Sequence, residues 1–185
     1  MLPSNRTYGF WLALARIFTG VLFVVHALPK FTNAGAFLPP DGFIVKMVSN
    51  GIASTGGPYH DFLSDVVLPN IGIFAQCVRA GEALVGCSLI LGLFARLGGI
   101  GAMFLMVNYI LVGGASGTIQ GWTGLEGAVF TLGALNALLP TGRVLGFDAL
   151  LARTRAPRVA SAPSGPVAAE FVEERPLDGP SAPRD

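Results

Sequence analysis

Residues 77–87 read C-V-R-A-G-E-A-L-V-G-C. Arg79 and Glu82 are the only charged residues between Leu68 and Leu93, and most of what surrounds them is apolar or small. A water-soluble helix needs a broad polar face, and this stretch has too little polar material to build one. Residues 97–125 contain no Asp, Glu, Lys or Arg at all. Over all 185 residues, 52% are hydrophobic and 12% charged, against about 25% charged in ordinary soluble domains. The pattern is that of an all-α, multi-pass integral membrane protein. A formal net charge of +1 supplies no basic surface for nucleic acid.

Four apolar spans are expected, at residues 8–28, 69–94, 97–113 and 125–145, forming a four-helix bundle. The first lacks a small-x-small cleavage site after Leu28-Pro29-Lys30 and reads as a retained span rather than a signal peptide. Ala95-Arg96 separates the second and third spans, so they should form a tight hairpin. Arg6, Arg96, Arg143, Arg153, Arg155 and Arg158 fall on one side of a four-span chain, with Lys30 and Lys46 on the other. The positive-inside rule then puts both termini in the cytoplasm of a cell with this protein in its inner (plasma) membrane.

The organisation is a membrane domain over residues 1–151 and a tail over 152–185. The tail holds six of the 13 prolines and is expected to be disordered. The long outer loop, residues 31–67, carries a turn signal at Pro39-Pro40-Asp41-Gly42. Residues 43–48 could form a short amphipathic helix lying on the bundle or in the interface. Pro58 suits the first turn of a further helix. Cys77 and Cys87 are ten residues apart on one helix, roughly 15 Å. That is too far for a disulfide, and buried structural thiols are expected.

Each span carries a polar residue at an awkward depth: Arg16 in the first, Arg79 and Glu82 in the second, Asn108 in the third, Asn136 in the fourth, with Glu126 at that span's outer start. Such groups are costly in hydrocarbon, by about 2.5–3.5 kcal/mol on insertion scales, so they should face the bundle interior and find partners. Counting residues into each span suggests an Arg16–Glu82 pair at mid-membrane. Arg79 would lie nearer the outer side, able to meet an anionic or carbonyl ligand. Arg16, Gly20, Phe23 and Lys30 share one stripe of the first helix, with His26 flanking it. Lys30 is expected to snorkel toward the interface. Two readings stand: an ion pair that fixes helix register, or a ligand or proton site.

Three blocks carry a family resemblance: A-R-I-F-T-G-V-L-F-V-V-H-A-L-P-K-F (15–31), G-E-A-L-V-G-C-S-L-I-L-G-L-F-A-R-L (81–97) and G-R-V-L-G-F-D-A-L-L-A-R (142–153). In this order they resemble the DoxX family, which includes the DoxD-like subunit of thiosulfate:quinone oxidoreductase. The resemblance runs from about Arg6 to Arg153 and is most specific at the second block. It implies a four-helix bundle in the plasma membrane. For some members it implies electron transfer from sulfur compounds to quinone with partner subunits, and for others a place in oxidative-stress complexes. By position, Arg16 and Glu82 match the family's intramembrane Arg and Glu. Thiol-redox relatives carry a cysteine pair that this sequence lacks.

Three roles follow as expectations. The first is a membrane subunit of a quinone-linked redox system. Glu82, Arg16, Arg79 and His26 would form its catalytic site, with Arg79 and Asn108 as quinone contacts. The second is a non-enzymatic anchor or assembly subunit. The third is a small-solute or lipid-handling protein. No intrinsic cofactor and no metal site are expected, since His26 and His60 are not arranged as paired haem ligands. Gly98-Gly99-Ile100-Gly101 lies inside an apolar span and is no phosphate loop. The expected partners are the lipid bilayer and other protein subunits or a second copy of the chain.

Overall fold

The computed structural model describes residues 5–113, 121–143 and 145–148. The tail expected over residues 152–185 and residues 114–120 of the third-to-fourth loop lie outside them. The described residues are helical, without strands. Four helices make the bundle: α1 (Asn5–Thr32), α5 (Ile71–Leu91), α6 (Ala95–Gly113) and α7 (Leu125–Leu138). Between α1 and α5 come α2 (Ala34–Phe37), α3 (Phe43–Ser54), α4 (Pro58–Phe62) and one π-helical turn (Leu63–Val67).

The helices are apolar outside and polar inside. On α1, Trp11, Leu14, Phe18, Val21, Val25 and Leu28 are exposed at steps of three and four. The opposite stripe, Ala13, Arg16, Thr19, Phe23 and Ala27, is buried. Leu84 on α5 is 71% exposed while Glu82 is 2% exposed. An arrangement that shows its leucines and hides its charges is stable only where the surrounding solvent is hydrocarbon. α1, α5 and α6 are long and apolar enough to cross a bilayer. α7 is not, because its 14 residues reach about 21 Å. The fourth span, expected over residues 125–145, ends early because Pro140 has no N–H to extend the helix. The chain continues instead as a 3₁₀ turn at Thr141–Arg143. Asn136 secures that corner, since its Oδ1 accepts from the Thr141 hydroxyl at 3.0 Å.

α1 packs most extensively on α5, and α6 on α7. Gly20 makes the first pairing close: a Cβ there would stand 2.8 Å from the Gly86 carbonyl and 2.8 Å from Ile90 N. Small residues allow backbones to approach this way in membranes. Gly81, also on α5, has open space around it and makes no such contact.

The outer loop is a folded cap. α3 buries Ile44, Met47, Val48 and Gly51. The first three join Phe37, Leu63, Val67, Ala75 and Val112 in one apolar cluster. The amphipathic helix expected at residues 43–48 therefore exists, runs to Ser54, and lies on the bundle. Pro58 opens α4 as expected. Cys77 and Cys87 are free and exposed, which corrects the expectation of burial. They sit on the outer surface of α5, where lipid would be.

The α5–α6 turn falls at Gly92–Phe94, slightly before the expected Ala95-Arg96. Gly92 ends α5 in the left-handed region, φ 63°, with its N–H on the Ser88 carbonyl. The chain after α7 returns to lock this turn. Phe147 N donates to Leu91 O at 3.1 Å and Asp148 N to Gly92 O at 2.9 Å. The Asp148 carboxylate accepts from Phe94 N at 2.8 Å and Ala95 N at 3.0 Å. It thus caps the start of α6 although it lies more than fifty residues away in sequence. Asp148→Ala removes both bonds and is expected to lower stability by about 1–2 kcal/mol, the range for losing a helix N-cap. Thermal unfolding in detergent measures it. An unchanged midpoint would show that water replaces the cap at no cost.

Candidate functional site

The buried charges form two separate centres at different depths. The first surrounds Arg16, which is fully buried. Its Nη2 donates to Leu145 O at 2.8 Å, and the Asp148 carboxylate is near enough to act on it electrostatically. Nη1 lies where a Cβ on Gly92 would be, 1.5 Å away, and 2.7 Å from where a Cβ on Gly146 would be. Two glycines thus make the slot for the guanidinium. Nε and Nη1 have no hydrogen-bond partner among the described residues. Arg16 joins α1 to the α5–α6 turn and to the chain beyond α7.

The second centre is Glu82 with Lys30 and Tyr109. Lys30 Nζ donates to both Glu82 oxygens at 2.5 Å and to Tyr109 Oη at 2.8 Å. Tyr109 Oη–H in turn donates to Glu82 Oε1. The Lys30 and Glu82 side chains are 16% and 3% exposed. Lys30 also lies 5.0 Å from the centre of the Phe37 ring and 5.3 Å from that of Tyr109, an additional attraction for an ammonium.

The expected Arg16–Glu82 pair does not form, and Lys30 does not snorkel outward. Helix register and side-chain tilt explain both. With Gly20 packed on Gly86 and Ile90, Arg16 stands level with Gly92. Glu82 is ten residues up α5 from Gly92, about 15 Å. Helical side chains lean toward their own N-terminus. In antiparallel α1 and α5, Lys30 leans down and Glu82 leans up, so they converge. Arg16 leans down and away from Glu82.

Glu82, Lys30 and Tyr109 form the polar end of a cavity of about 440 Å³. Leu22, Phe23, Met106 and Val129 supply apolar wall, and His26, Phe43, Leu125 and Glu126 also line it. The cavity lies between α1 and α7 beneath the α3 cap. His26, Phe43 and Leu125 are exposed at its edge, so the cavity is open there. Of the site residues read from sequence, Glu82 and His26 meet here. Arg16 belongs to the other centre. Arg79 is half-buried and stacks 4.9 Å from the Phe31 ring centre, outside the cavity lining. Asn108 is half-buried, uses its amide on Phe104 O at 2.8 Å, and does not line the cavity either. Tyr109 went unrecognised beside Asn108. The signal for it was a tyrosine deep in an uncharged span, whose hydroxyl needs a partner.

A model of the DoxX family matches residues 11–115, more than half of the chain. The chain belongs to the DoxX family. No curated protein and no solved structure matches it. The matched segment of this DoxX protein contains Arg16, Lys30, Glu82 and Tyr109, hence the whole Glu82 centre. It ends before the block at residues 142–153. The structure nevertheless ties that block to the matched segment, through Leu145 on Arg16 and Asp148 on the start of α6.

Proposed function

We propose that this DoxX protein is the membrane subunit of a quinone-linked redox system, and that the cavity above Glu82 is where a quinone-type ligand sits. One observation carries this reading: an apolar cavity of about 440 Å³, lined by α1, α5, α6 and α7 and ending on a hydrogen-bonded Lys30–Glu82–Tyr109 cluster. Its size lies in the range of small-molecule sites, about 300–1,000 Å³. An apolar cavity among the helices of a membrane bundle suits a ligand that travels within the bilayer. A quinone, when bound, supplies two-electron, two-proton redox chemistry. The residues here would seat its ring against Phe23, Met106 and Val129 and hold its polar edge near Lys30, Tyr109 and His26. The paired Lys30 and Glu82 charges would form a fixed dipole that needs no reorganisation during reaction.

On this reading the electrons come from a partner protein, which brings the redox centre and the donor, sulfur compounds being the donor class the family resemblance suggests. We place the protein in the plasma membrane with both termini cytoplasmic, on the distribution of Arg and Lys.

The test is quinone content. Full-length protein, purified from its native membrane in mild detergent, should carry close to one isoprenoid quinone per chain by mass spectrometry. Leu22→Trp, which fills the cavity from a half-buried wall position, should lose it while keeping its unfolding midpoint. Quinone absent from the wild type, or retained by a folded Leu22→Trp, would sink the reading. The result would then favour an anchoring role in which the buried charges serve only the bundle.

A further inference from the structure

The hydrogen-bonding groups of the cavity divide unevenly. Its donors are already used. Lys30 has three N–H groups, and they go to Glu82 Oε1, Glu82 Oε2 and Tyr109 Oη. The Tyr109 hydroxyl goes to Glu82. His26 Nδ1 is 2.8 Å from Leu22 O; a carbonyl only accepts, so Nδ1 carries the hydrogen there. The neutral ring then has a lone pair on Nε2, and no described residue engages that nitrogen. Glu126 Oε2 is buried without a hydrogen-bond partner among the described residues, and Glu126 lines the same cavity. What stays open to a ligand is therefore acceptor capacity, chiefly at His26 Nε2 and Glu126 Oε2.

A buried acceptor left unmatched is costly, and more so when it is charged. A ligand offering only carbonyl oxygens would leave the buried Glu126 Oε2 unmatched and make no use of the exposed His26 Nε2. It would also have to take a Lys30 donor from Glu82 or Tyr109. A ligand offering hydroxyls meets the open acceptors and leaves the Lys30–Glu82–Tyr109 cluster intact. We propose that the cavity selects a hydrogen-bond donor, and so within a quinone couple holds the hydroquinone at His26 Nε2 and Glu126 Oε2. This rests on the quinone-site reading above and specifies which form the site favours. The preference should be about tenfold, the size of one charge-assisted hydrogen bond. It would raise the potential of the couple in the site by about 30 mV, the two-electron equivalent of tenfold, and so favour reduction there.

The experiment is equilibrium binding to full-length protein in detergent, with three decyl-tailed probes sharing one ring: the benzoquinone, its hydroquinone, and the hydroquinone dimethyl ether, which cannot donate. The hydroquinone should bind about tenfold more tightly than either of the others. Glu126→Gln adds a donor to the wall and His26→Phe removes an acceptor. Each should shrink the preference at least about threefold without moving the unfolding midpoint. Equal binding of the three probes overturns the donor selection and leaves the quinone site standing. A preference that survives both substitutions overturns the assignment to these two residues. No saturable binding of any probe beyond that of empty micelles overturns the quinone site and, with it, the selection.

Discussion

Gly92→Ala is expected to lower the stability of the protein in detergent by at least about 4 kcal/mol, combining left-handed backbone strain with displacement of a buried charge. Gly92 sits at φ 63°, and its missing Cβ would lie 1.5 Å from Arg16 Nη1. The strain alone costs about 1–2 kcal/mol in a residue with a side chain. The larger part is the guanidinium. Arg16 is fully buried and holds Leu145 O. A methyl group in its slot pushes it off that carbonyl and out of the place the two glycines leave for it. Gly81→Ala on the same helix is the control, since a Cβ there meets nothing within 4 Å. It should be neutral or stabilising by up to about 1 kcal/mol, the difference in helix propensity. Denaturant or thermal unfolding of the two variants side by side decides it. Equal midpoints would show that the turn relaxes and that Arg16 is not held as described.

Glu82→Leu should cost about 3 kcal/mol, the low end of the range for breaking a buried ion pair, because Lys30 keeps some access to water. The substitution leaves the Lys30 ammonium and the Tyr109 hydroxyl without their common acceptor. Lys30→Met added to Glu82→Leu should restore stability to within about 1 kcal/mol of the wild type, since replacing both members of such a pair by apolar groups is often neutral. A double-mutant cycle measures the coupling directly. The double variant also separates structure from function. Folded but unable to retain quinone, it would assign the charges to the ligand. Folded and still quinone-loaded, it would assign them to helix pairing. A harmless Glu82→Leu would mean that Lys30 reaches water through the cavity mouth and that the pair contributes little.

Arg16 and Glu82 could be picked out in the sequence because charges in apolar runs are conspicuous there. Their partners could not. Which charge meets which depends on the sliding register of α1 against α5, and Gly20 against Gly86 sets that register by contact. Counting from span ends missed it because α1 runs to Thr32, past the expected end at Leu28. Glu126 was visible only as a charge near a span start. That its Oε2 is buried without a partner among the described residues depends on how α7 packs against α6 and α1. Asp148 looked like part of a short family block; its carboxylate proves to be the cap of a helix that begins more than fifty residues earlier.

The all-α membrane class, three of the spanning helices and the stripe of α1 that faces inward follow from composition and periodicity. Both reflect the same local cost of placing a charge or a bare backbone in lipid, and that cost is written residue by residue. The pairing of Lys30 with Glu82, the glycine slot for Arg16, the cap built from the outer loop and the acceptors left open in the cavity depend on distances between segments remote in sequence. Those distances are set by how closely backbones can approach and which way side chains lean, and they exist only once the helices are packed.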